Sequence, residues 1–374
     1  MPAKTGIQRR TTRKCSIQHN PWMPPPRNLS LRLSCGWHDG LFSVMRMLYM
    51  KLKKILISLL FLCWAHLTFA DTNFASRPDV QAFIDQMCHH YHFKKSELVY
   101  VFNTVRIHKQ VIQQVFKPVE DNPWYTYQMI FITESRIHQG VKFWDKHRAA
   151  LAAAEKKYGI PASLIVATIG VETKYGKHTG DYRVLDALSN LAFSSSRRAP
   201  FFRSELKDFL LLARENHLDP LRMKGSYAGA IGFPQFMPSS YRHYAVAYAD
   251  KAHPDLSRNA NDAIISIANY YKQHGWQTSQ PIAVPAIVHG SNYRQMDTPI
   301  TLPTKSLLHY GFTPHSHETV EKLNLIKLED KKHDEYWIAF HNFDVIKLYN
   351  TSDLYAMAVY QLSYYIDRTR KRIL

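Results

Sequence analysis

The run Ser163-Leu164-Ile165-Val166-Ala167-Thr168-Ile169 is almost unbroken in its apolar character, and Gly170-Val171-Glu172-Thr173-Lys174-Tyr175-Gly176 follows it at once. A helix this apolar belongs in a core. Pro161 suits its first turn, since proline gives up only an amide that would have no partner there. The constraint is that a carboxylate, Glu172, arrives where the apolar run stops. Ile165, Ile169 and Glu172 are spaced i, i+4, i+7 and share one helix face, with Tyr175 three residues on. A carboxyl held in apolar surroundings has its charged form disfavoured, as a general acid needs. A helix-end glutamate reaching water fits the same spacing, and spacing leaves both readings open.

The rest of residues 78–160 also reads as helical. Ser96 is placed to cap a helix carrying Leu98, Val101, Phe102 and Val105. Thr133 is a second N-cap, opening one helix that runs through Ile137, Val141 and Trp144 to Gly159. Further helices are expected over 184–193, 204–215 and 261–275. The segment 225–241, GSYAGAIGFPQFMPSSY, holds three Gly and two Pro and reads as irregular. From 281 the texture shifts to β-branched and aromatic residues in rough alternation, in PIAVPAIVHG and YWIAFHNFDVIKLYN, which predicts short strands. Helical spacing returns over 353–368. No internal repeat is seen. The expectation is a mainly α (α+β) chain with a small β-rich insertion.

The 374 residues exceed the usual size of one core. A formal charge of +18 points first to nucleic acid, but residues 1–70 hold 11 Lys/Arg against Asp39 alone. That leaves 37 basic and 29 acidic residues, a net +8, over 71–374. This milder excess suits an anionic envelope polymer or a membrane surface equally well. No nucleic-acid motif accompanies it. From Met50 the chain reads as a signal peptide: Lys51, Lys53 and Lys54, then an apolar stretch, then Thr68-Phe69-Ala70 as the cleavage site. Residues 1–49 then read as a mis-assigned extension. The preceding Leu-Phe-Leu makes Cys63 a poor lipidation site, and Cys88 is the one thiol left after cleavage, so no internal disulfide framework is expected.

Several motifs each have a plain structural explanation. Ser226, Gln235, Tyr227, Phe233 and Phe236 sit in a glycine-rich loop that lets backbone approach a ligand, or that is only a tight turn. Arg197-Arg198 suits polymer carboxylates, or is a solvated loop. Asn350 before Tyr355 is a helix cap before a core tyrosine. No GxSxG, HExxH or Walker A pattern occurs.

Five stretches in order, namely GVETKYG, RVLDALSNLAF with SSSRRAPFF, KGSYAGAIGFPQFMPSSY, ANYYKQHGW and YNTSDLYAMAVYQL, resemble the lytic murein transglycosylase B family over most of 79–370. The resemblance implies a lysozyme-like core with an α-helical domain and a small β domain around a glycan cleft. The arrangement expected is an α-helical domain over 71–160, a catalytic core over 161–280, a β-rich domain over 281–350 and a returning helix over 351–374, after a signal peptide over 50–70. It implies cleavage of the β-1,4 bond between N-acetylmuramic acid and N-acetylglucosamine, closing a 1,6-anhydro ring. By resemblance Glu172 is the single acid/base. Ser226 and Gln235 contact the sugar, Arg197 and Arg198 lie by its peptide side, and Tyr127, Phe236, Tyr270, Asn350 and Tyr355 line the cleft. A hydrolytic muramidase and a non-catalytic glycan-binding protein are the alternatives. The partner implied is the peptidoglycan strand, with no nucleic acid, met by a periplasmic monomer that a membrane surface could hold. Relatives often carry an EF-hand-like calcium loop. Here Asp250, Asp255 and Asn259 lack its spacing, and Lys251, Pro254 and Arg258 intervene, so no cofactor is expected and calcium binding is weak or absent.

Overall fold

The computed structural model describes residues 73–108, 122–249, 253–290, 300–303, 306, 309, 311–314 and 322–373. The charged start, the signal segment, Cys63, Asp250 and Lys251 lie outside them. In chain order the helices are α1 Pro78–Tyr91, α2 Lys95–Asn103, α3 Trp124–Phe131, α4 Glu134–Lys146, α5 Arg148–Tyr158 and α6 Ala162–Thr173. The short strand β1 Tyr182–Arg183 precedes α7 Val184–Ala192 and α8 Ala199–Glu215; β2 Lys224–Gly225 precedes α9 Pro238–Tyr244 and α10 Ala260–Gln273. Five strands follow: β3 Ala283–Val288, β4 Ile300–Pro303, β5 Phe312–Pro314, β6 Lys322–Leu328 and β7 Glu335–Ala339. Helices α11 His341–Lys347 and α12 Asp353–Ile373 close the chain.

The fold is mainly helical, as expected. The central helix α6 is wrapped by α4, α5, α10 and the long C-terminal α12. One hydrophobic core runs from Phe74 to Ile366 and takes in every helix from α1 to α12. The five strands form an antiparallel sheet in the order β4-β6-β7-β3-β5. Side chains alternate between its two faces. Ile326, Leu328 and Ala339 join the main core, while Leu325 and Ile338 join Phe312 and Phe340 in a second small cluster. The sheet is thus anchored to the helices through one face.

Three local expectations are corrected. Helix α2 begins at Lys95 behind Lys94, so Ser96 lies inside the first turn and caps nothing. The helix from Thr133 to Gly159 breaks at His147, whose ring packs on Phe143 and whose Nδ1 lies 2.8 Å from Asn261 Oδ1 on α10. That tertiary bond outweighs one more helical turn. YWIAFHNFDVIKLYN is strand only to Ala339 and then turns into α11. Buried Asn342 there donates to the carbonyls of Gln277 and Gln280, and Phe343, Val345 and Ile346 fill the core. Thr133 does cap α4, accepting from the Arg136 N–H at 3.2 Å.

Candidate active site

Every residue of α6 is buried except Ser163 and Glu172. The helix has no wet face, so the stripe of Ile165, Ile169 and Glu172 does not set the glutamate apart. What does so is the helix end. Lys174, Tyr175 and Gly176 all take the left-handed conformation, with φ of 50, 62 and 83°. The Lys174 N–H donates to Gly170 O at 3.1 Å and the Tyr175 N–H to Ile169 O at 3.3 Å, closing the helix as a Schellman-type cap does. This reversal turns the Tyr175 ring back over Gly170, where a Cβ would stand 2.7 Å from its phenol oxygen. The phenol donates to Arg136 O at 2.8 Å, and burial holds its pKa far above the usual tyrosine range. Arg136 in turn donates to Gly170 O at 2.5 Å. The last turn of α6 is therefore clamped, and half-buried Glu172 is the position in that turn which opens outward.

The Tyr355 phenol donates to Glu172 Oε1 at 2.6 Å. Burial, and then the nearby Glu172 charge, push the pKa of Tyr355 well up, so the phenol keeps its proton and acts as the donor. Tyr355 sits in the first turn of α12. Asn350 Oδ1 accepts the Ser352 N–H at 3.1 Å and Ser352 Oγ accepts the Tyr355 N–H at 3.3 Å, so these two side chains start the helix. The Tyr355 ring lies parallel to Tyr349, centroids 6.3 Å apart, and the Tyr349 phenol donates to Pro234 O at 2.5 Å. The C-terminal helix thus reaches both the acid and the glycine-rich loop.

That loop is tied to α6 directly. Thr173 Oγ donates to Phe233 O at 3.1 Å and accepts the Gly176 N–H at 3.0 Å. Ser226 Oγ accepts the N–H groups of Ala228 and Ala230 at 3.3 and 3.1 Å, which leaves its own O–H as the donor. Gln235, in the left-handed region with φ of 50°, spends its amide N–H groups on Thr179 O and Gly232 O, at 3.1 and 2.9 Å. Its carbonyl oxygen remains as the acceptor. Both side chains line a cleft cavity of about 320 Å3 with His178, Asp181, Tyr182 and Tyr227. A half-buried carboxyl beside a neutral phenol can move a proton within a polar ligand, and the loop tied to its helix through Thr173 offers a hydroxyl donor and an amide acceptor.

The Transglycosylase SLT domain family matches residues 75–364. Membrane-bound lytic murein transglycosylase B of Escherichia coli (strain K12) is 38% identical over 305 residues, 78% of this chain and 83% of that protein. This chain belongs to the lytic murein transglycosylase B family. The soluble lytic transglycosylase SltB1 of Pseudomonas aeruginosa superposes with a TM-score of 0.74 at 44% identity, over 79% of this chain and 100% of the other. The E. coli lytic transglycosylase Slt35, in its complex with calcium, gives a TM-score of 0.75 at 37% identity, over 80% and 95%. The chain is accordingly a lytic transglycosylase with a lysozyme-like fold, and the family's reaction cleaves murein with 1,6-anhydro ends.

In this transglycosylase the other expected site residues divide. Phe236 is 2% exposed and its ring packs between Tyr270 and Tyr349, inside the wall of the loop. Tyr270 donates to Leu348 O at 2.6 Å and stacks on His274, so it builds the wall behind the loop. Tyr127 is 1% exposed between Trp124 and Phe131 and belongs to the core. Arg197 and Arg198 are exposed, and Arg198 lies over the rings of Phe201 and Phe202. Tyr349 and Thr173 join the site through the Pro234 and Phe233 carbonyls, and the only sequence signal for either is that Tyr349 directly precedes Asn350.

The segment where relatives carry a calcium loop uses its carboxylates locally. Asp255 Oδ1 accepts the N–H groups of Ser257 and Arg258, both at 3.0 Å. Asp262, 0% exposed, accepts the N–H of Tyr248 on one oxygen and of Asp255 on the other, both at 2.9 Å. Asn259 Oδ1 caps α10. Among the described residues of this segment, these oxygens serve as acceptors for backbone N–H groups.

Proposed function

We propose that Glu172 is the single acid and then base of this transglycosylase. The observation that carries the reading is the Tyr355–Glu172 hydrogen bond at the clamped end of α6. Most glycosidases need two carboxyl groups. Among the described residues, the buried carboxylates elsewhere are occupied. Asp186 is paired with Arg183, Glu205 accepts from Ser239, Asp208 is paired with Arg242, and Asp262 holds two backbone amides. The substrate supplies the second function instead. Protonated Glu172 gives its proton to the glycosidic oxygen as the C1–O4 bond breaks. The muramoyl acetamido oxygen stabilises the charge at C1. The carboxylate then takes the proton of the muramoyl C6 hydroxyl, whose oxygen attacks C1 and closes the 1,6-anhydro ring. One proton leaves Glu172 and one returns, and no water is consumed.

Ser226 donates to the sugar's acetamido group and Gln235 accepts from it, in keeping with the bonding capacity each has left. Arg197 and Arg198 act towards the peptide-bearing side of the strand. The enzyme works as a monomer on peptidoglycan in the periplasm, exported by the segment from Met50. No described helix is long and apolar enough to cross a membrane. The test is Glu172→Gln with mass spectrometry of muropeptides from sacculi. Loss of anhydro products with an unchanged melting temperature is expected. Anhydro products at the wild-type rate would sink the assignment, and products heavier by one water would show a muramidase instead.

A further inference from the structure

Behind the β1–β2 ribbon lies a second, larger cavity of about 750 Å3. Tyr182 pairs with Gly225 and Arg183 with Lys224 across the ribbon. Asp181 and Tyr182 line both this cavity and the cleft that holds Ser226 and Gln235, so the two spaces adjoin. The walls of the larger one carry Arg106, Arg183, Arg222, Lys224 and Arg258. Arg183 is spent on buried Asp186, donating through Nε at 2.9 Å and Nη2 at 2.5 Å. Asp186 also accepts the Arg106 N–H at 3.0 Å and stands 3.7 Å from His108 Nε2. The side chains of Arg106, Arg222, Lys224 and Arg258 are exposed. Among the described residues, none of these four lies within 4.0 Å of a carboxylate. Asp181 is the one further acid in the lining. Four cations of like sign around a concave surface repel one another and concentrate the field. Such an arrangement is compensated by an anionic ligand.

We propose that this cavity takes the carboxylates of the acidic stem peptide on the muramoyl residue bound in the adjoining cleft. The proposal rests on the reading of that cleft as the glycan site. Guanidinium groups grip carboxylates in a bidentate fork. The stem peptide starts from the lactyl group of the same muramoyl sugar, so its carboxylates lie within reach of a cavity one ribbon away. The cavity would therefore select peptide-bearing strands over bare ones.

The experiment compares two soluble substrates made from one batch of glycan strands, with stem peptides intact and with peptides removed by an amidase. The variant is Arg222→Glu/Arg258→Glu, and its melting temperature is compared with that of wild type. On peptide-bearing strands KM should rise about tenfold with kcat held, the scale of losing charge-assisted contacts at an open site. On stripped strands KM should stay at the wild-type value. Arg222→Lys/Arg258→Lys should largely restore selectivity, and Arg222→Gln/Arg258→Gln replaces the reversal if that fails to fold. An equal rise on both substrates, or no rise on either, overturns the proposal. Anhydro products from the stripped strands, checked in the same assay, keep this outcome separate from any failure of the Glu172 assignment.

Discussion

The Tyr355 phenol donates to Glu172 Oε1 at 2.6 Å, joining two residues 183 positions apart in the chain. The bond ties the first turn of the C-terminal helix to the last turn of the central one. Tyr355→Phe removes the donor and keeps the ring. A hydrogen bond to a charged group is worth about 1.5–3 kcal/mol, so kcat should fall about 10- to 100-fold. KM should move little, because the ring still shapes the wall. Steady-state kinetics on soluble strands checks this, and a change confined to KM would mean that the phenol holds substrate instead of the acid.

Gly170→Ala tests the clamp behind the acid. Helix propensity alone favours alanine by about 1 kcal/mol. The added Cβ would stand 2.7 Å from the Tyr175 phenol oxygen and 2.8 Å from Cζ. Overpacking of this kind costs about 1–3 kcal/mol, so the net change should be a lower melting temperature. Activity should fall further than stability, because the turn that presents Glu172 shifts with Tyr175. A rise in melting temperature would show that the ring moves aside at no cost.

Calcium should neither bind at micromolar affinity nor raise the melting temperature, since Asp255 and Asp262 already hold backbone amides. Asp262→Ala should destabilise the protein by about 1–3 kcal/mol, the scale of leaving buried donors unpaired, with or without chelator. Calorimetry and thermal unfolding in calcium and in EDTA decide the matter. A calcium-dependent rise lost in Asp255→Ala would refute it.

Acid should act on the bridge between α8 and α9. Arg242 donates to both oxygens of Glu215, at 2.8 and 2.7 Å, and this contact lowers the Glu215 pKa. A depressed carboxyl contributes stability above its ordinary value of 4.5 and loses that contribution as pH falls through its folded value. Glu215→Gln should therefore cost stability at neutral pH and nothing in stronger acid. Because the pair is half exposed, the cost at pH 7 should be below about 1 kcal/mol. Chemical denaturation at pH 7 and in acid measures both limits.

Periodicity was sound where one interaction dominates. Thr133 caps α4 because a hydroxyl next to a helix start is satisfied locally, and the apolar run forms α6 because no other place in a fold suits it. It failed where a distant partner decided. His147 breaks a helix for the sake of Asn261, and Asn342 turns a would-be strand into α11 by holding Gln277 and Gln280. Burial is likewise invisible in sequence: Phe236, Tyr270 and Tyr127, expected by resemblance to line the cleft, have their rings packed into the wall and the core.

What the amino-acid order settled alone is the helical character, the five motifs that mark the family, and the arrival of a carboxylate at the end of an apolar helix. Each is a short-range property, written within a few turns of chain. The stripe shared by Ile165, Ile169 and Glu172 could not decide the role of Glu172, because α6 is buried on every side. Only tertiary structure brought Tyr355 to the acid, Thr173 to the Phe233 carbonyl, and five cationic side chains around one cavity behind the ribbon. Contacts across that many residues depend on how helices pack, and packing is a property of the whole core.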